Sequence, residues 1–156
     1  MASSNTFQCG PLKILKDSSL DSTPKTSEMS LTELISIDSS GWIERFTKGT
    51  KAPQYKQVIE STKPKDIVTS VVVLFEVYKK IKKIKSEEEA LLAIAALSQT
   101  TIIPVDQTIS LEAADYSIEH NLHFSDSLVY ATARHYKAKL YTSDNDLKPL
   151  KDVYFI

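Results

Sequence analysis

A chain of 156 residues, 42% apolar and 25% charged, has ordinary globular composition and is long enough for one domain with its own core. Its formal net charge of -1 excludes binding to nucleic acid by overall electrostatics, so any such contact has to come from a local patch. Cys9 is the sole cysteine, which excludes an internal disulfide and a cysteine-built zinc site. No run approaches ~18 consecutive apolar residues and the N-terminus lacks the apolar core of a secretory signal. The expectation is a soluble, cytoplasmic protein with no membrane segment.

Met1 to Glu28 is rich in Ser, Thr, Lys and Asp and carries only scattered apolar residues, among them Phe7, Leu12, Ile14 and Leu15. Such a segment buries too little to offset its conformational entropy. The expected organisation is a flexible tail over residues 1–30 and a domain over 31–156, with Met29 as an alternative start. Leu34 to Ile37 reads as a buried strand ending at Asp38, after which Ser39 and Ser40 offer an N-cap. Trp42, Ile43 and Phe46 fall at helical spacing before Gly49, and Pro53 to Ser61 predicts a second short helix. Ile67 to Ser70 reads as the second strand. Val71 to Ile84 follows as a helix with Leu74, Val77, Tyr78, Ile81 and Ile84 on one stripe, its start blurred by three consecutive valines.

Ser86 before Glu87, Glu88 and Glu89 is a helix start with acids in the first turn, and that helix runs through Leu97. Thr101 to Val105 predicts a third strand, Gln107 to His120 a helix, and Asp126 to Tyr136 another helix capped by Ser125. Lys139 to Thr142 is the fourth strand, Ser143 to Asp146 a polar loop, and Asp152 to Ile156 a last short strand. Strands alternating with helices predict an α/β three-layer sandwich around a central parallel sheet of four to five strands.

Parallel sheets carry function just beyond the C-terminal ends of their strands. Asp38 and Asp144 follow the first and fourth strands, Glu76 lies about a turn into the helix after the second, and Asp126 sits in the first turn of the helix before the fourth. Four acids distant in sequence can therefore meet at one sheet edge. Two like charges at ~4 Å repel by about 4 kcal/mol at an effective dielectric of ~20, so such a group calls for a cation. Oxygen donors without His or Cys select Mg²⁺ or Mn²⁺ over zinc, and such ions activate water for attack on a phosphodiester. Taken singly, Asp126 also suits a helix first turn and Asp144 a Ser-Asp-Asn-Asp turn. Residue type alone leaves both readings open.

Four segments in order resemble the PIN domain family. Ile37-Asp38-Ser39-Ser40 resembles its opening motif, and Thr69-Ser70 through Phe75-Glu76-Val77 its second. Asp126-Ser127-Leu128-Val129-Tyr130-Ala131-Thr132-Ala133 resembles the third, and Leu140-Tyr141-Thr142-Ser143-Asp144-Asn145-Asp146-Leu147 the fourth. The resemblance spans Leu34 to Ile156 and departs in the N-terminal tail. It implies a metal-dependent endoribonuclease acting on single-stranded RNA, similar to the VapC-like toxins of VapBC toxin–antitoxin pairs. It also implies a homodimer and a cognate antitoxin protein as partners. By the resemblance, Asp38, Glu76, Asp126 and Asp144 are both catalytic and the ligands of Mg²⁺ or Mn²⁺. Ser39 and Thr142 are candidate hydroxyl partners. Asp146 is a second-rank ligand or a turn residue, and the turn is favoured.

Lys79, Lys80, Lys82, Lys83 and Lys85 follow Glu76 on its helix, and are read as a solvated face against Glu87 to Glu89 ahead of an RNA-phosphate track. His120, His123 and His135 lack metal-ligand spacing and are read as surface or core residues. The competing classes are a catalytically silent PIN-like module that binds RNA or protein, and a housekeeping RNA-processing nuclease. An Asp-nucleophile phosphatase would want a second Asp where Ser40 stands, and a receiver domain would want acids beside Asp38.

Overall fold

The computed structural model describes residues 32–156, so the expected tail over 1–30 lies outside the described residues. Five short strands, β1 (Ile35–Ile37), β2 (Val68–Ser70), β3 (Thr101–Ile103), β4 (Lys139–Thr142) and β5 (Val153–Phe155), all pair in parallel. A parallel bridge between Ile35 and Ile67 joins the β2–β3 pair to the β1–β4–β5 ladder. The resulting order is β3-β2-β1-β4-β5, with β1 at the centre. All five C-terminal ends therefore lie on one edge.

Helices α1 (Ser39–Thr47), α2 (Ala52–Glu60), α3 (Val71–Ile84), α4 (Glu87–Leu97), α5 (Gln107–His120) and α6 (Phe124–His135) fill the crossovers. Successive strand residues face opposite ways, and Ile67 and Val68 show the consequence. Ile67 joins an apolar cluster with Trp42, Tyr55, Val77 and Leu97, whereas Val68 joins another with Ile103, Ile109, Ala113 and Leu128. Helices thus cover both faces, which is the expected α/β sandwich. Helix α6 is the most enclosed, with every residue from Ser127 to Ala133 buried.

Several boundaries differ from the sequence-based expectation, each for a local reason. The cap of α1 is Asp38, whose carboxylate accepts from Ser39 N, and not Ser39 or Ser40. Helix α6 starts at Phe124 after His123, which places the expected cap Ser125 inside the first turn. A 3₁₀ turn at Pro64–Asp66 precedes β2, and β3 ends at Ile103 short of Val105. Val71, Val72 and Val73 are helical despite their β-branching, because Val73 is fully buried on the stripe with Val77 and Ile81. Burial of that face outweighs a propensity difference of a few tenths of a kcal/mol per residue.

One close approach fixes the entry to the site edge. A Cβ at Gly41 would collide with the Tyr55 ring and the Ile37 side chain. The missing side chain lets α1 lie against β1 and against Tyr55 of α2, and Tyr55 is wholly buried. Its hydroxyl emerges at the strand ends, 2.7 Å from Ser143 Oγ.

Candidate active site

The edge formed by the strand C-termini is organised around Asp38. The residue is 4% exposed, and its carboxylate accepts from Ser39 N at 2.7 Å and Ser40 Oγ at 2.8 Å. Thr142 Oγ1 donates to the same carboxylate from 3.0 Å, across the β1–β4 pair. The Thr142 hydroxyl in turn accepts from Asp144 N at 2.9 Å, which orients the loop leaving β4. Asp144 Oδ1 accepts from Asp146 N at 2.8 Å, a side-chain-closed turn. Ser143 is held from below by Tyr55 and its N–H lies 3.4 Å from Ser40 Oγ. Together these bonds tie β1, β4 and the start of α1 into one frame.

Burial raises the Asp38 carboxyl above its ordinary range, the three hydrogen bonds oppose that rise, and the negative charge of Glu76 adds to it. Asp126, the third residue of α6, carries a carboxyl pushed up to about 6. Burial is the largest cause, and the charges of Asp144, Asp38 and Glu76 follow, with His123 acting in the opposite sense. Asp126 therefore lies within electrostatic reach of the other three acids named from the sequence, and their charges add to the burial that raises its carboxyl.

The other residues singled out in the sequence fare differently. Thr142 is a hydroxyl partner of Asp38 as expected, but the second hydroxyl belongs to Ser40, and Ser39 contributes its backbone N–H. Asp146 is exposed and makes the turn contact with Asp144. Lys82 and Lys85 pair with Glu87 and Glu89 at 2.8 Å each, as a solvated helix face requires. His120 stacks on Tyr116 and meets Tyr130 edge-on, and His135 pairs with Glu112. Sequence reasoning missed Tyr55, which nothing local marks, whereas His123 is exposed at the start of α6, in keeping with its reading as a surface residue.

Hard oxygen donors suit a divalent cation of the Mg²⁺ or Mn²⁺ type, and the repulsion around Asp126 is what such a cation would relieve. Among the described residues no three His, Cys, Asp or Glu side chains are already gathered to ligand spacing. Closing them on an ion therefore asks for side-chain rotation by the half-buried acids Glu76, Asp126 and Asp144. The donor chemistry and the charge pattern fit the ion.

The family model described as the PIN domain matches residues 35–154. The chain belongs to the PIN domain family. Among curated protein sequences none matches it. In structure it is similar to a toxin–antitoxin complex chain from Klebsiella pneumoniae, at 25% identity and a TM-score of 0.67, over 78% of this chain and 99% of that one. It is also similar to VapC20 of Mycobacterium tuberculosis, described as a Sarcin-Ricin loop cleaving toxin, at 20% identity and a TM-score of 0.65, over 74% and 93% of the two chains. A third likeness is to VapBC2 from Rickettsia felis bound to promoter DNA, at 17% identity and a TM-score of 0.63, over 79% and 97%. The fold is that of VapC-type PIN toxins. No helix among the described residues is long and apolar enough to cross a membrane.

Proposed function

We propose that this protein is a Mg²⁺- or Mn²⁺-dependent endoribonuclease that cuts single-stranded RNA, and that it is the toxin of a toxin–antitoxin pair. The observation that carries the reading is the placement of Asp38, fixed by Ser39, Ser40 and Thr142 at the sheet edge where parallel α/β folds bind ligands, with Asp126 within electrostatic reach of Asp144, Asp38 and Glu76. Family membership supports the same chemistry, since PIN nucleases generally use divalent metal ions.

In this reading Asp38, Glu76, Asp126 and Asp144 hold the cation, which supplies water activation and stabilises charge on the phosphate when bound. Asp38, locked by Ser39, Ser40 and Thr142, is the fixed member against which the other three adjust. Asp126, with its carboxyl near 6, would be a weaker ligand as pH falls below that value, because a proton then competes for it. Tyr55, through Ser143, keeps the Asp144 loop in place.

A cognate antitoxin is supported by the toxin–antitoxin complexes among similar structures. A homodimer is supported by an apolar groove of about 430 Å³ between α5 and α6, where Ile118 and Phe124 are 85% and 80% exposed. Action in the cytoplasm belongs to the same reading, because the RNA to be cut is found there. The silent-module reading is favoured by one observation, the ungathered spacing of the carboxylates.

Incubation of the full chain with end-labelled single-stranded RNA separates the two readings. The expected result is internal cutting with Mg²⁺ or Mn²⁺, none with EDTA, and little on a duplex of the same sequence. An intact strand at millimolar metal would make the protein a binding module.

A further inference from the structure

The edge strand β5 places an aromatic ring beside Thr142, and two ammonium groups lie over that ring. Phe155 pairs in register with Thr142, and Ile156 N donates to Thr142 O at 2.9 Å. Phe155 thus lies one strand spacing, ~4.8 Å, from the residue whose hydroxyl holds Asp38. Lys148, from the loop after Asp144, sits 4.4 Å from the Phe155 ring centroid, and Lys51, capping α2, sits 5.0 Å from it. Lys51 Nζ also donates to Ile156 O at 2.6 Å.

Neither ammonium group forms an ion pair with an Asp or Glu side chain among the described residues, although the Lys51 backbone N–H donates to Glu44 Oε2 at 3.0 Å; Lys82, Lys85, Lys139 and Arg134 all form such pairs. Two cations on one partly exposed ring, without side-chain carboxylate partners and next to an acidic centre, are placed to receive a polyanion. We propose that Lys51, Lys148 and Phe155 form the track for the RNA strand on the β5 side of the acid cluster, a proposal that rests on the RNA-nuclease reading. The ammonium groups take phosphates flanking the one to be cut, and the Phe155 ring stacks a base. Single-strand binders combine these two elements, a cationic path for the backbone and a π-face that accepts any base. On the α3 row Lys82 and Lys85 are held by Glu87 and Glu89, while Lys80 and Lys83 form no ion pair among the described residues and serve as the comparison.

The test is binding of a labelled single-stranded RNA to the full chain in EDTA, over a range of salt, with an abasic strand of equal length as a second probe. Lys51→Ala with Lys148→Ala should reduce the slope of log affinity against log salt by about 1.4, or about 0.7 for each phosphate no longer neutralised. Lys148→Arg should keep the wild-type slope. Phe155→Leu should weaken the base-bearing strand about tenfold and leave the abasic strand unchanged. An unchanged slope in the double variant overturns the proposal, as does a slope reduced instead in Lys80→Ala with Lys83→Ala. A slope in Lys148→Arg as low as that in Lys148→Ala overturns it too, since the lysine would then act through packing. If the wild type cuts RNA while these variants bind normally, the track alone fails. If the wild type neither binds nor cuts RNA, the nuclease reading fails with it.

Discussion

Asp126→Asn is expected to lower RNA cleavage by roughly a thousandfold or more while making the metal-free protein more stable at neutral pH. The carboxyl is pushed from its ordinary 3.8 to about 6 by burial and by Asp144, Asp38 and Glu76. Because the folded value exceeds the unfolded one, the folded chain holds this proton more tightly. The cost of ionising Asp126 is therefore absent below about pH 4, grows between about pH 4 and 6, and is complete above that. Asparagine removes it. For a half-buried group, screened by solvent, the gain is on the order of 1–2 kcal/mol. Thermal melts in EDTA at pH 5 and pH 7.5 check the sign: the variant's advantage should be larger at pH 7.5. A melt that falls by many degrees at pH 7.5 would mean that Asp126 is held by a structural partner.

Asp38→Ala should behave in the opposite way on stability while also abolishing cleavage. Asp38 caps α1 and receives three donors, from Ser39, Ser40 and Thr142, in a buried setting. Removing it costs the cap, about 1 kcal/mol, and strands the Ser40 and Thr142 hydroxyls without their acceptor. The burial penalty on its own charge is relieved, so the expected net loss is about 2 kcal/mol, or about 5 °C in Tm. Chemical denaturation of Asp38→Ala and Asp126→Asn under one buffer compares them. Equal effects of the same sign would contradict the division of labour between a fixed ligand and adjustable ones.

The difference between the three-donor setting of Asp38 and the charge-crowded setting of Asp126 was not legible in the sequence, although the acids themselves were. Asp38, Glu76, Asp126 and Asp144 could be placed at the sheet edge because strand ends and helix starts follow from local pattern, and the parallel order of strands follows from alternation. The roles of Ser40 and Ser39 could not be separated, since which one turns its hydroxyl toward Asp38 depends on where α1 begins, a matter of one residue. Ser125 as a cap failed for the same reason: α6 begins earlier, at Phe124, and buries Leu128 and Ala131 in the cluster that holds Val68 and Ile109. The contacts of Tyr55 and Phe155 were invisible because they depend on a partner 88 residues away in one case and on strand register in the other. Local chemistry announces an acid at a strand end, but not the aromatic ring that another part of the chain brings beside it.

Asp38, Glu76, Asp126 and Asp144 are expected to act together on one divalent ion. Calorimetric titration of Mn²⁺ into the metal-free protein at neutral pH, for the wild type and for Glu76→Gln, Asp126→Asn and Asp144→Asn, addresses this most directly. The expected outcome is saturable binding by the wild type at micromolar to millimolar Mn²⁺ and weaker binding in each variant. Wild-type protein that takes up no Mn²⁺ at millimolar concentration, or variants that bind as the wild type does, would contradict a shared metal site.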